Sequence, residues 1–141
     1  MRRSFASGLW ALAILGGLSA CRSDKPEAQV RKRFESCRAA VEAGDAAAAT
    51  AALDPTFKGP EGMDRATAQL FLMGTFRQEK VGVTVVRNEV AARGNEAFQE
   101  VDLILTGRSG ALLPQDASHR GFRLRWLKSE GDWKLMEVQS L

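Results

Sequence analysis

The sequence predicts an α+β domain in which N-terminal helices pack on a curved antiparallel sheet of about four strands. Apolar residues recur at helical spacing in the first half of the chain and alternate with polar residues in the second half. The change falls near Glu79, and glycine-containing turns separate the alternating segments. The length of 141 residues suits one such domain built around one core.

Two helices open the domain. One face of the first helix carries apolar residues at helical spacing, namely Val30, Phe34, Cys37 and Val41. Gly44 is suited to end this helix because glycine adopts a left-handed closing turn without strain. Asp45 is suited to cap a second, alanine-rich helix because its carboxylate can accept from free backbone amides.

A third helix is predicted over "DRATAQLFLMGTFRQ", with Asp64 as its cap. Apolar residues surround this helix almost completely, so we expect it to be buried on more than one side. The preceding stretch, residues 57–62, contains two glycines and Pro60 and predicts a loop. A short additional strand near Phe57 is the alternative prediction for this stretch.

Four strands are predicted after Glu79. The first, "KVGVTVVRNEVAAR", shifts its alternation at Val86, as a bulged strand does. The second, "EAFQEVDLILTG", follows a glycine turn, and a loop over residues 107–118 separates it from the third, "GFRLRWLK". The last strand, "WKLMEVQSL", follows a turn at residues 130–132, and we expect Trp133 to fix this hairpin to a helix.

This order of elements, with "GD" between two helices and the closing "EGDWKLMEV", is similar to the nuclear transport factor 2-like, or cystatin-like cone, superfamily. The similarity covers about Glu27 to Leu141. That superfamily mixes isomerases, dehydratases, binding modules and oligomerisation domains, so the resemblance implies a fold and no single function. Small envelope lipoproteins with this fold are the members that the chain resembles most.

The first twenty residues have the three-part layout of a secretory signal. Arg2 and Arg3 form a basic start, an apolar stretch runs from Leu9 to Leu18, and small residues precede Cys21. The apolar stretch is shorter than the roughly 20 residues that a membrane-spanning helix needs. We therefore expect this segment to be removed from the mature protein.

The tetrapeptide Leu18-Ser19-Ala20-Cys21 resembles the lipobox of bacterial lipoproteins, in which the cysteine sulfur receives a diacylglyceryl group and the chain is cut just before it. The resemblance implies that Cys21 is the lipid attachment site and that several acyl chains hold the protein on a membrane. The residue after the cysteine is Arg22 and not an aspartate. This favours the outer membrane over the inner membrane, with the protein facing the periplasm. An ordinary secretory signal with a cysteine near its cut site is the alternative.

These signals divide the chain into a signal peptide (1–20), a lipidated tether (21–26) and one domain (27–141). Loss of Arg2 and Arg3 lowers the formal net charge from +3 to +1, and the other charges are interspersed, so we expect no nucleic-acid partner. With Cys21 acylated, Cys37 has no cysteine to pair with. Its position on the apolar helix face predicts a packing thiol and not a reactive one.

The sequence offers one candidate for a catalytic site. The chain has no tyrosine, which excludes an oxyanion site made of tyrosine hydroxyls. His119 is the only histidine, and Asp116 is close enough in sequence to act with it, which gives the alternative of a small hydrolyase or isomerase. One histidine and one buried cysteine do not make a convincing metal site, and we expect no cofactor.

Charged and aromatic residues suggest two further kinds of site. Two charged pairs share one face of the predicted sheet, Glu100 with Asp102 and Arg123 with Arg125. They are interpreted as cross-strand ion pairs on a solvated face, with a surface for a partner or a second copy as the alternative. Four aromatic residues could line an apolar pocket or simply fill the core: Phe34, Phe71, Phe122 and Trp126.

The sequence therefore predicts a non-enzymatic protein held on a membrane by its N-terminal lipid, which binds an apolar ligand or another envelope protein. The enzyme that uses Asp116 and His119 is one alternative. The other is an oligomerising scaffold, such as a homodimer formed through the sheet face that carries Arg123 and Arg125.

Overall fold

A computed structural model describes residues 24–107 and 119–141 of the chain. The predicted signal peptide, Cys21 and Asp116 lie outside the described residues. The elements in chain order are α1 (Pro26–Ala43), α2 (Ala46–Ala49), β1 (Leu53–Lys58), a 3₁₀ turn (Pro60–Gly62), α3 (Arg65–Gln78), β2 (Gly82–Arg93), β3 (Glu96–Thr106), β4 (His119–Ser129) and β5 (Asp132–Ser140). No helix in the described part of the chain is long and apolar enough to cross a membrane.

The helix ends follow the local signals in the sequence. Gly44 ends α1 with a φ of 72°, in the left-handed region. The side chain of Asp45 accepts from the backbone amide of Ala48 at 3.0 Å at the start of α2. Asp64 caps α3 in the same way, accepting from the amide of Thr67 at 2.8 Å.

The sheet has five strands in the order β1-β5-β4-β3-β2. Neighbouring strands are antiparallel except at one edge, where β1 runs parallel to β5. The predicted antiparallel sheet of about four strands is therefore a mixed sheet with one additional edge strand, which begins at Leu53 and includes Phe57. Pro55 obscured this strand in the sequence, because proline cannot donate to a strand ladder and is tolerated only at edges and strand starts.

The bulge predicted in the first long strand is confirmed. The pairing of β2 with β3 shifts register between Val85 and Arg87. Val86, the residue within the shift, is 60% exposed, although it lies in a run of valines. An extra residue on one strand bends that strand and increases its twist, which curves the sheet around α1.

The core lies between α1 and the face of the sheet that carries Val101 and Trp126. These two residues are fully buried together with Val30 of α1, and β1 contributes Leu53 and Phe57 to the same cluster. The predicted hairpin staple is also present: the indole Nε1 of Trp133 donates to Oε1 of Gln29 at 2.9 Å.

The prediction that α3 is buried on more than one side is wrong. Ala68 is its only buried residue, whereas Leu70 is 67% exposed and Phe71 59% exposed. The reason is position: α3 packs against α2 and β1 at the edge of the sheet, so much of its circumference faces solvent. An apolar composition predicts burial only where a second element covers the helix.

Candidate functional site

The side of β2–β5 that faces away from α1 forms a charged surface, which we call the outer sheet face. Successive side chains of a strand point to opposite faces, so the residues between the core positions of β3 and β4 lie here. On this side, Glu100 of β3 lies directly opposite Arg123 of β4, and Phe98 lies opposite Arg125. The face includes Arg87, Glu89, Phe98, Glu100, Asp102, Arg123, Arg125 and Glu137.

Glu100 is the centre of an ion-pair network on this face. Its carboxylate lies 2.8 Å from Nη2 of Arg123 and 3.3 Å from Nη1 of Arg87. The hydrogen bond from Arg123 lowers the pKa of the Glu100 carboxyl. Arg87 also donates from Nε to Asp102 at 2.8 Å, and this bond raises the pKa of the Arg87 guanidinium. The network therefore stays charged around neutral pH and ties three strands together.

Arg125 is held more loosely than Arg123. Its guanidinium lies 3.7 Å from a carboxylate oxygen of Glu96 and 3.7 Å from one of Glu137. Both distances exceed the usual length of a charge-assisted hydrogen bond, which is about 2.7–2.9 Å. Arg123 and Arg125 thus both lie on the outer sheet face, and Arg125 is the more weakly paired of the two.

Phe98 stands among these charges with 45% of its surface exposed. It lines a shallow depression of about 650 Å³ together with Ala91 and Arg123. A smaller depression of about 50 Å³ on its other side is lined by Phe98, Arg123, Arg125 and Glu137. An exposed phenylalanine surrounded by polar residues is typical of the centre of a protein contact.

Phe98 is not among the site residues that the sequence predicts. The signal was nevertheless present, because the alternation that sets Val101 toward the core sets Phe98 on the same side as Glu100. Only the structure shows that no helix covers this side among the described residues.

Of the four aromatic residues proposed as pocket lining, three lie in or against the core and one lies apart from it. Phe34 and Trp126 belong to the core, and Phe122 is partly buried against it. Phe71 is exposed on α3, at the edge of the sheet. The aromatic residues near α1 are therefore packed into the core.

A series of side-chain hydrogen bonds connects the polar groups of the core. Nε1 of Trp126 donates to Oε1 of Gln99 at 2.9 Å, and Nε2 of Gln99 donates to Oδ1 of Asn88 at 2.8 Å. Gln99 and Trp126 are both fully buried. The buried side-chain groups of Trp126 and Gln99 therefore find hydrogen-bond partners within the core.

The predicted acid–base pair is not brought together by the described residues. His119 is exposed at the first position of β4, paired with Ile104, and Asp116 lies outside the described residues. In the described part of the chain, no three His, Cys, Asp or Glu residues are grouped as metal ligands. Cys37 is a free, half-buried thiol, and burial raises its pKa.

Comparison with known proteins identifies the fold. No family model matches the chain, and no curated protein matches it in sequence. It is similar to the solved structure of a nuclear transport factor 2-like protein from Cytophaga hutchinsonii, with a TM-score of 0.68 and 12% identity over 83% of this chain and 98% of that one. A nuclear transport factor 2-like protein with a cystatin-like fold from Novosphingobium aromaticivorans has a TM-score of 0.68 and 14% identity, covering 80% of this chain and 79% of that one.

A protein of unknown function with a cystatin-like fold from Nostoc punctiforme is similar to the same degree. Its TM-score is 0.66 at 12% identity, and the match covers 81% of this chain and 88% of that one. The chain therefore has the cystatin-like, or nuclear transport factor 2-like, fold, with helices packed against a curved mixed sheet. This likeness defines the class of structure, and the fold by itself does not define an activity.

Proposed function

We propose that the protein is a lipid-anchored component of the bacterial cell envelope whose domain binds a protein partner through the outer sheet face. A second copy of the chain is the partner that we infer. The observation that carries this proposal is Phe98, which is 45% exposed between cross-strand ion pairs. A large apolar side chain gains free energy when a partner removes it from water.

The charges of the outer sheet face support self-association. In a two-fold contact each patch meets its own copy, so a self-complementary surface must carry both signs near its axis. Beside Phe98, Glu100 forms an ion pair with Arg123, and Glu137 lies near Arg125. Acidic groups of one copy can therefore meet basic groups of the other while the two phenylalanines form the apolar centre.

The test of the surface is equilibrium sedimentation of residues 22–141, which retain the whole described core. We expect a concentration-dependent dimer, and we expect Phe98→Ser to weaken it at least about ten-fold, the loss of about 1.4 kcal/mol of binding free energy. Phe71→Ser is the matched control, because Phe71 is similarly exposed but lies on α3.

Two results would contradict self-association through this face. One is a wild-type chain that remains monomeric at all concentrations, which would leave another envelope protein or an apolar ligand as the partner. The other is a dimer that is weakened by Phe71→Ser and not by Phe98→Ser.

The anchoring proposal rests on the lipobox at residues 18–21 and on the position of the domain. The helix α1 begins at Pro26, so few residues separate the proposed lipid on Cys21 from the folded domain. Such a short tether holds the domain close to the membrane surface, on the periplasmic side of the outer membrane in our proposal.

Anchoring is tested by replacing the two cysteines separately. We expect Cys21→Ser to abolish labelling by a fatty-acid analogue and to shift the protein out of the membrane fraction, since the acceptor sulfur is lost. Cys37→Ser is the control and should keep both properties. Unchanged labelling of the Cys21→Ser variant would disprove lipidation at this position.

A further inference from the structure

A second recessed surface lies between α1 and the β4–β5 hairpin. We call it the α1–hairpin pocket. Its volume is about 380 Å³. Four positions of α1 at spacings of three, one and three form one wall, and the end of the hairpin forms the other. The lining residues are Asp24, Gln29, Lys32, Arg33, Ser36, Lys128, Gly131, Asp132 and Trp133.

Gln29 holds the walls of this pocket together. Its Nε2 donates to the backbone oxygen of Asp24 at 2.8 Å, and its Oε1 accepts from the indole of Trp133 at 2.9 Å. The ammonium of Lys128 lies 3.4 Å from the same Oε1 and 6.0 Å from the centre of the Trp133 ring. The start of the domain, the helix and the hairpin are therefore connected at one side chain.

The cations of the pocket have no carboxylate partners in the described part of the chain. Within residues 24–107 and 119–141, Lys32, Arg33 and Lys128 make no ion pair, although Asp24 and Asp132 also line the pocket. In addition, Nε of Arg33 is buried and has no hydrogen-bond partner among the residues that the structure describes. A buried donor without an acceptor is costly.

We propose that the α1–hairpin pocket binds a phosphate group, and that the phosphate is supplied by the headgroup of an anionic phospholipid. A guanidinium matches the geometry of phosphate oxygens, and the two lysines add positive charge from both walls. The inference goes beyond the proposed function, because none of these residues belongs to the outer sheet face. Only the lipid as the source of the phosphate relies on the proposed anchor.

The position of the pocket favours a membrane lipid. Asp24 lines the pocket and lies three residues after Cys21. Three residues span at most about 11 Å, so a lipid on Cys21 would hold the pocket within reach of the bilayer headgroups. Basic side chains near an anionic leaflet are attracted to it over about a Debye length, which is ~8–10 Å.

The test measures binding of residues 22–141, which lack Cys21 and so report the domain without its lipid. Binding is measured by cosedimentation with vesicles of phosphatidylcholine containing phosphatidylglycerol and with vesicles of phosphatidylcholine alone. We expect binding to the first only. Arg33→Gln should weaken it at least about ten-fold, because a charged hydrogen-bonding group is lost from a recessed site.

Arg31→Gln is the matched control. It removes the same charge from the same helix, but Arg31 is exposed and does not line the pocket. We expect its effect to stay below about two-fold, as for a screened surface charge. Lys128→Gln removes a pocket charge from the hairpin and should also weaken binding, which guards against a folding defect specific to Arg33→Gln. The midpoint of urea unfolding verifies that each variant is folded.

Inorganic phosphate, titrated by calorimetry, distinguishes the two sources of the group. Binding of phosphate that depends on Arg33, without preference for phosphatidylglycerol vesicles, would support the pocket and assign it to a free phosphate. The proposal is overturned if neither probe binds, or if Arg31→Gln weakens binding as much as Arg33→Gln, because a diffuse positive field does not distinguish the two positions. None of these outcomes depends on dimerisation or on lipidation of Cys21.

Discussion

Among single residues, Cys37 illustrates how position controls the chemistry of a side chain. It packs partly buried against the core, and burial raises the pKa of its thiol while the nearby Arg33 opposes this effect only in part. The reactive form of a cysteine is the thiolate. The structure therefore supports the packing role that its place on the helix predicted.

We predict that Cys37 of residues 22–141 reacts more slowly with a disulfide reagent at pH 8 in the native protein than in urea. The raised pKa leaves less thiolate, so the native rate should keep rising with pH after the rate of the unfolded chain has levelled off. Absorbance of the released thiol measures both rates. Equal rates with and without urea would show that burial does not protect this cysteine.

Phe98 and Arg33 show the limits of reasoning from residue type alone. A phenylalanine in a strand is expected in the core, and a basic run such as residues 31–33 is expected on a solvated helix face. In the structure Phe98 is 45% exposed, and Nε of Arg33 is buried without a partner among the described residues. Each residue departs from the average for its type, and each departure is the basis of one of the proposed binding surfaces.

Among the elements, the chain of side chains from Trp126 through Gln99 to Asn88 joins β4, β3 and β2 on the core side of the sheet. The outer side of the same strands is joined by the network centred on Glu100. Side-chain interactions thus connect the strands on both faces of the sheet. Neutral hydrogen bonds connect them on the core side, and ion pairs connect them on the solvent-facing side. This division follows from the cost of burying unpaired charge.

We predict that Trp126→Phe lowers the free energy of unfolding by about 2 kcal/mol or more, because the buried Oε1 of Gln99 loses its donor and a cavity is left. Trp133→Phe is the control. It also removes an indole donor, but its acceptor Gln29 is only half-buried, so we expect a smaller loss of about 1 kcal/mol. Urea unfolding curves measure both. An equal or reversed order would mean that the buried chain contributes little to stability.

At the scale of the whole molecule, different surfaces carry different chemistry. The concave side of the sheet is filled by α1 and the core, and the outer sheet face carries the proposed protein contact. The α1–hairpin pocket lies at the end of the domain where the tether enters. A domain anchored at this end could contact lipid headgroups while its outer sheet face stays accessible to a second copy.

Local elements were predictable because their signals act over a few residues. Gly44, Asp45 and Asp64 bound their helices through hydrogen bonds to residues no more than five positions away. The bulge at Val86 is visible as a shift in alternation for the same reason. The edge strand β1 was only an open alternative in the sequence because Pro55 interrupts its pattern. Its strand geometry depends on pairing with β5, which lies at the other end of the sequence.

The sequence by itself determined the order of the elements, the strand faces and the likeness of residues 18–21 to a lipobox, because these depend on neighbours in the chain. Only the tertiary structure decided that α3 is exposed, that Phe98 is uncovered, and that the α1–hairpin pocket exists. In this pocket Trp133 donates a hydrogen bond to Gln29, and the two residues are 104 positions apart in the sequence. Contacts at such separations depend on how elements dock, and periodicity along the chain carries no information about which surfaces docking leaves uncovered.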